Sequence, residues 1–178
     1  MANRKLVLYI AMSLDGYIAA PGDNLDFLSL VEKEGEDYGY KEFIDTIDTV
    51  ILGRRTYDKI VAMGHEYPNT VKNLFVVTRS ERPATGKVTY YNGDLGELVN
   101  TLKIRDGKNI YCDGGAEIVH LLMMSDLIDE LTVSVIPVLL GGGTALFKPG
   151  FTETGLELLN SRTYDTGLVQ LHYRKGSN

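Results

Sequence analysis

The chain has 178 residues, with 18 Lys plus Arg against 24 Asp plus Glu, so its net charge is −6 and a basic nucleic-acid footprint is not expected as its main function. With 44% hydrophobic and 24% charged residues it has the makeup of a folded rather than a disordered chain, and its length predicts one domain over 1–178. The single cysteine, Cys112, excludes an internal disulfide and a Cys-rich zinc module, while His65, His120 and His172 fall into no metal-ligand spacing.

Residues 5–12 form a nearly continuous apolar run, as in a strand buried on both faces. Asp15–Gly16 and Pro21–Gly22 mark turns after it. The pattern over 25–47 predicts a helix, broken near Gly35 and Gly39. A strand over 49–52 ends at Gly53 and is followed by a helix over 54–63. Strands are predicted at 74–78 and 88–91, then an amphipathic helix over 95–104. A strand at 110–112 leads through Gly114 and Gly115 into a helix over 116–124. A long strand covers 130–140, and 156–164 with 168–174 make an antiparallel pair around Asp165–Thr166–Gly167.

Strands alternating with helices imply βαβ crossovers. The fold class expected is therefore α/β: three layers, a mostly parallel sheet with helices on both faces, and an antiparallel C-terminal hairpin. Two uncharged runs, 6–14 and 131–147, are interrupted by Asp15–Gly16 and by Pro137 with Gly141, Gly142 and Gly143. Both read as buried strands rather than as a leader or a span. No membrane partner and a cytoplasmic location are expected.

Ligands of open α/β sheets collect at the carboxyl ends of strands, and three such ends carry unusual residues. At Gly53–Arg54–Arg55–Thr56 a glycine permits close backbone approach, and a helix start offers free N–H groups to a phosphate. Arg54 or Arg55 adds a bidentate contact. At Thr78–Arg79–Ser80, Arg and Ser suit a ribose 2′-phosphate. At Asp113–Gly114–Gly115–Ala116–Glu117, paired glycines admit a pyrophosphate or a nicotinamide. Each also reads alone as ordinary: solvated arginines at a helix start, a polar loop, a tight strand–helix turn. There is no GxGxxG, so the common dinucleotide fingerprint is absent.

Several motifs carry a resemblance when taken in order. They are Met12–Ser13–Leu14–Asp15–Gly16–Tyr17–Ile18–Ala19, Leu52–Gly53–Arg54–Arg55–Thr56–Tyr57, Val76–Val77–Thr78–Arg79–Ser80 and Asp113–Gly114–Gly115–Ala116. Leu127–Ile128–Asp129–Glu130–Leu131 and Ile136–Pro137–Val138–Leu139–Leu140–Gly141–Gly142–Gly143 follow. The chain resembles the dihydrofolate-reductase-like superfamily. Within it, the chain resembles the reductase domain of the bifunctional riboflavin-biosynthesis deaminase–reductase. One cysteine cannot build the zinc site of the deaminase half, so the resemblance is to the reductase domain alone.

The resemblance implies NADPH as hydride donor and a small heterocyclic substrate, as in a 5-amino-6-(5-phosphoribosylamino)uracil reductase. It implies that Gly53, Arg54, Arg55 and Thr56 hold the cofactor phosphates and that Thr78, Arg79 and Ser80 hold the 2′-phosphoribose. Asp113, Gly114, Gly115, Ala116 and Glu117 would lie along the cofactor, with a cis peptide between the two glycines. Ala11 and Ile18 match positions beside the nicotinamide, with Asp15 in the mobile loop between them. A proton must also reach the substrate. A gapless register from Gly53 places the acid of folate reductases at Asp37, with Glu36 and Asp26 as competitors, while Tyr38 and Tyr40 would flank a planar ring. Glu117, near a helix start, also favours the helix dipole without any catalytic role. A homodimer is expected, because related reductases often pair and C2 dimers are the commonest oligomers. Two other readings stay open: a dihydrofolate reductase, and a nucleotide-binding protein without catalysis.

Overall fold

The computed structural model describes residues 4–176. β1 (Leu6–Ser13) shows how the sheet is made. Its alternate side chains point to opposite faces, and both faces are covered. Leu6 and Leu8 go to one face, and Val7 and Tyr9 to the other. A strand buried this way must be apolar throughout, which is why 5–12 lacks polar alternation.

The other elements are β2 (Tyr17–Ala19), α1 (Tyr40–Asp45), β3 (Ile47–Gly53), α2 (Arg54–Ala62), β4 (Asn73–Val77), β5 (Val88–Tyr91) and α3 (Leu95–Lys103). They continue with β6 (Asn109–Gly114), α4 (Ala116–Met124), β7 (Glu130–Ile136), β8 (Thr144–Ala145), β9 (Leu156–Thr163) and β10 (Val169–Lys175). Eight strands form one sheet in the order β5-β4-β3-β6-β1-β7-β10-β9. β1 lies parallel to β6 and β7, β3 to β4 and β6, and β4 to β5. β10 runs antiparallel to both β7 and β9. The fold is α/β, three-layered and mostly parallel with an antiparallel C-terminal hairpin, as the alternation of elements predicts.

On one face α3 and α4 pack Leu98, Val99, Leu102, Val119 and Leu122 onto Leu6, Leu8, Ile51, Ile110 and Cys112. On the other, α1 and α2 pack near Val50, Leu52, Val76 and Tyr111. Leu6, Leu8, Ile51, Leu52 and Ile110 are completely buried. Each such side chain contributes about 1.5–3 kcal/mol to stability. No helix among the described residues is long and apolar enough to cross a membrane.

Two predicted elements differ. The helix expected over 25–47 is split into a 3-10 helix (Asp26–Val31), an irregular stretch and the short α1. Gly35, Tyr38 and Gly39 take left-handed φ of 78°, 55° and 82°, which ends any right-handed helix. Glu36 and Asp37 then accept backbone N–H groups with their side chains, and such local bonds compete with helix. The strand expected over 130–140 stops at Ile136, because Pro137 has no N–H to continue the ladder. The chain beyond folds back, so that β8 pairs with β2 in a small second sheet the pattern did not foreshadow.

Candidate active site

The carboxyl ends of β3 and β6 meet at two glycine positions. A Cβ built on Gly53 would lie 3.3 Å from Ile118 Cγ1 and 3.8 Å from both Gly114 O and Gly115 N. One on Gly115 would lie 3.3 Å from Thr56 Oγ1. Only bare backbone lets these turns approach so closely. The peptide between Gly114 and Gly115 is cis. α2 starts at Arg54 and α4 at Ala116, and neither start has a side-chain cap. Two sets of unpaired N–H groups therefore stand side by side at a strand switch, the arrangement that suits phosphates.

The predicted cofactor residues fall around this crevice to different extents. Gly53, Thr56, Gly114, Gly115 and Ala116 are brought together there. Arg54 is partly turned to Asp58, 3.0 Å away one helical turn on. Arg55 is exposed on the first turn of α2. Thr78, just past β4, receives the Ser80 N–H at 3.3 Å and donates its own N–H to Tyr91 O at 2.8 Å. Arg79 and Ser80 are exposed beside it. Glu117 is exposed in the first turn of α4, where its charge meets the positive dipole end.

A cleft of about 700 Å³ opens on the sheet face that carries α1. Tyr9 and Ala11 of β1, Ser134 and Ile136 of β7, and Leu168 form its floor. Leu28, Val31, Tyr38 and Tyr40 form a wall, and Glu32, Lys33, Glu34, Glu36 and Asp37 form its rim. Ala11 thus lies in the cleft floor. Ile18 lies elsewhere, half-buried against the α3–α4 side of the core. Gln170 crosses the floor, its Nε2 within 3.0–3.1 Å of Tyr38 O, Tyr9 Oη and Ser134 Oγ. Tyr9 Oη donates to Tyr38 O at 2.9 Å. Burial pushes the Tyr9 and Tyr40 hydroxyls up to about 12, so both stay neutral hydrogen-bonding groups at physiological pH.

Asp113 sits on the same face at the end of β6, one position from the Gly114–Gly115 turn. Tyr111 Oη donates to it at 2.5 Å and Tyr67 Oη donates as well. Burial raises its carboxyl from the ordinary 3.8 to about 6, against the pull of the two hydroxyls. The same burial, with the nearby carboxylate, raises Tyr67 and Tyr111 further. Tyr40, which lines the cleft, lies within electrostatic reach of Asp113. Such a carboxyl, moved toward neutrality and linked to the cleft through Tyr40, is a candidate acid.

Asp37 has a different setting. It is exposed on the rim, and its two oxygens accept the N–H groups of Gly39 and Lys41 at 2.9 and 3.0 Å. Capping that turn is the role the geometry shows. Glu36 likewise takes the Tyr38 N–H at 2.8 Å. Asp15 is pinned in this structure. Its carboxylate accepts Ser13 Oγ at 2.6 Å, Leu140 N at 3.0 Å and Gly141 N at 2.7 Å. The Ser13 bond, with these amides, lowers it to about 2. The loop after β1 is thereby tied to the loop after β7. Sequence reasoning missed Tyr9, Tyr67, Tyr111, Ser134 and Gln170. For all but Tyr67, which lies in the loop between α2 and β4, the available signal was polar groups at alternate positions of otherwise apolar strands.

The sequence model described as "RibD C-terminal domain" matches residues 4–170. An uncharacterised protein, YwjB, of Bacillus subtilis (strain 168) is 43% identical over 172 residues, 96% of this chain and 98% of its own. A putative riboflavin biosynthesis protein from Shewanella sp. PV-4 superposes with a TM-score of 0.87 at 27% identity, covering 97% of this chain and 99% of that one. Dihydrofolate reductase from Enterococcus faecalis, solved with NADP(H), has a TM-score of 0.66 at 16% identity over 97% of each chain; that likeness shows the shared fold. The chain belongs to the RibD C-terminal domain family.

Proposed function

We propose that this family member is an NADPH-dependent reductase acting on a planar nitrogen heterocycle of the pyrimidine type. One observation carries the reading: two uncapped helix starts meet across the glycine turns at the ends of β3 and β6, and a cleft of about 700 Å³ that Tyr9, Tyr38 and Tyr40 help to line opens on the α1 face of the same sheet. Bare Gly53 and Gly115 let the turns after β3 and β6 close up, and the uncapped N–H groups at the starts of α2 and α4 that this brings together suit the phosphates of a dinucleotide. The family match and the fold shared with an NADP(H)-binding reductase support the same cofactor.

In this reading Gly53, Thr56, Gly114, Gly115 and Ala116 offer backbone to the pyrophosphate. Arg54, Arg55, Thr78, Arg79 and Ser80 take the phosphates and the 2′-phosphate. When bound, the nicotinamide supplies the hydride. Tyr38 and Tyr40 flank the ring, and the apolar floor excludes water. Gln170, Tyr9 and Ser134 orient its polar edge. The matching proton comes from the Asp113 carboxyl, which the Tyr67 and Tyr111 hydroxyls hold in place. Asp113 replaces Asp37 in that role, since both oxygens of Asp37 are used in the rim turn. The chain acts as one domain and pairs with a second copy through edge strand β9, all eight of whose residues are exposed.

Fluorescence titration with NADPH and NADH tests the cofactor. The Arg54→Ala, Arg79→Ala double variant is expected to weaken NADPH far more than NADH. Equal weakening would remove the 2′-phosphate assignment, and binding of neither cofactor by the unmodified protein would remove the reading. Turnover should survive Asp37→Asn and drop about 10²–10⁴-fold in Asp113→Asn; the reverse pattern would restore Asp37.

A further inference from the structure

Resting on that reading, we infer that the ring cleft is built for a heterocycle carrying no phosphate or other anionic group. Two independent features of the rim lead there.

The first is its charge. Glu32, Glu34, Glu36 and Asp37 are exposed along one edge of the cleft. Lys33 is the lone basic side chain in the lining, and it is paired with Asp165 at 3.3 Å. Arg162 reaches in from β9, its Nη1 3.7 Å from where a Gly39 Cβ would stand. There it adds one positive charge on the side of Asp37. With both cations and Asp165 counted, the rim keeps a net charge of −3. A phosphate monoester brings about −1.5 to −2 more. Like charges in a cleft with low-dielectric walls repel more strongly than in open water.

The second is the state of the backbone. The turn over 36–41 has the left-handed geometry that exposes N–H groups and makes an anion nest. In this chain that nest is filled from within. Glu36 holds the Tyr38 N–H, and Asp37 holds those of Gly39 and Lys41. The α1 helix that follows has only six residues and starts on those occupied amides. The groups that would bind a phosphate are already bound to carboxylates.

The interior agrees. Its polar groups are the Ser134 hydroxyl and the Tyr9 and Tyr40 hydroxyls, the latter two kept neutral by burial. They suit the carbonyl and amino edges of an uncharged ring. If the substrate descends from a phosphorylated precursor, a phosphate-ester hydrolysis must precede this enzyme.

The test compares 5-amino-6-(5-phosphoribosylamino)uracil with the same molecule after phosphatase treatment, as substrates of the full chain with saturating NADPH. NADPH binding is measured in the same samples. The dephosphorylated ring is expected to have a kcat/KM at least about tenfold higher, with the gap narrowing as salt screens the rim. The Glu32→Lys, Glu34→Lys double variant reverses the sign of two exposed rim charges. It should raise kcat/KM for the phosphorylated ring and not for the other. Equal or better use of the phosphorylated ring by the unmodified protein would overturn the inference while leaving the reductase reading intact. Failure of both rings with NADPH bound would overturn both, since the cleft would not be a ring site of this kind.

Discussion

Asp113 has a half-buried carboxyl at the end of β6, with a pKa moved by burial from 3.8 to about 6. Below about pH 4 it is protonated in both the folded and the unfolded chain. Between pH 4 and 6 the unfolded chain releases its proton first, so the fold loses stability as pH rises. Above pH 6 both states are ionised and the full deficit persists. Two pH units at about 1.4 kcal/mol each give a deficit of about 3 kcal/mol at pH 7. Asn is neutral throughout and avoids it. The charge-assisted bonds from Tyr67 and Tyr111 are already included in that pKa. Asp113→Asn is therefore expected to gain about 3 kcal/mol relative to the unmodified protein between pH 4 and pH 7, or about 6–12 °C in Tm for a domain of this size. At pH 4 this advantage should be gone. Thermal unfolding of both proteins across pH 4–8 checks this. A stability difference independent of pH, or a loss at pH 7 larger than at pH 4, would refute the account of Asp113 as a carboxyl kept near neutrality by burial.

Asp15→Ala should free the Leu140 and Gly141 amides, and hydrogen exchange at both positions should rise several-fold with the sheet amides unchanged. Because its pKa is lowered, the tie made by Asp15 in the unmodified protein holds above about pH 4 and is lost as pH falls toward 2; exchange at the two amides should follow that course. For the edge strand, Leu156, Leu158 and Leu159 are 46%, 51% and 40% exposed. Such a row on an unpaired edge invites a second strand. Sedimentation should find a dimer for the unmodified protein and a monomer for Leu158→Asp; a monomeric unmodified protein would contradict pairing through β9.

The parallel sheet and its glycine turns were legible in the sequence because their signals are local. An apolar run of four to eight residues, a glycine and a helix start lie within one stretch of chain, as at 49–56 and 110–116. The crevice residues Gly53, Thr56, Gly114, Gly115 and Ala116 could be named for that reason. Misread stretches were those where single residues override a pattern. Gly35, Tyr38 and Gly39 turn the chain left-handed inside an apparently helical segment, and Pro137 ends a strand that hydropathy alone would prolong. The gapless register points to Asp37 as the acid, whereas the structure shows its carboxylate capping a turn and places the raised carboxyl of Asp113 elsewhere on the sheet. Tyr67 and Asp113 are 46 positions apart, and Gln170 and Tyr9 are 161 apart. No local pattern links such pairs. A carboxyl's pKa depends on what surrounds it in space, and parallel pairing of β6 with β1 and β3 supplies those surroundings. The sequence by itself determined the strands, the turns between them and the residue types at their ends. Tertiary packing decided which of these groups share a cleft, because burial and charge act through space, whereas backbone preference extends only a few residues along the chain.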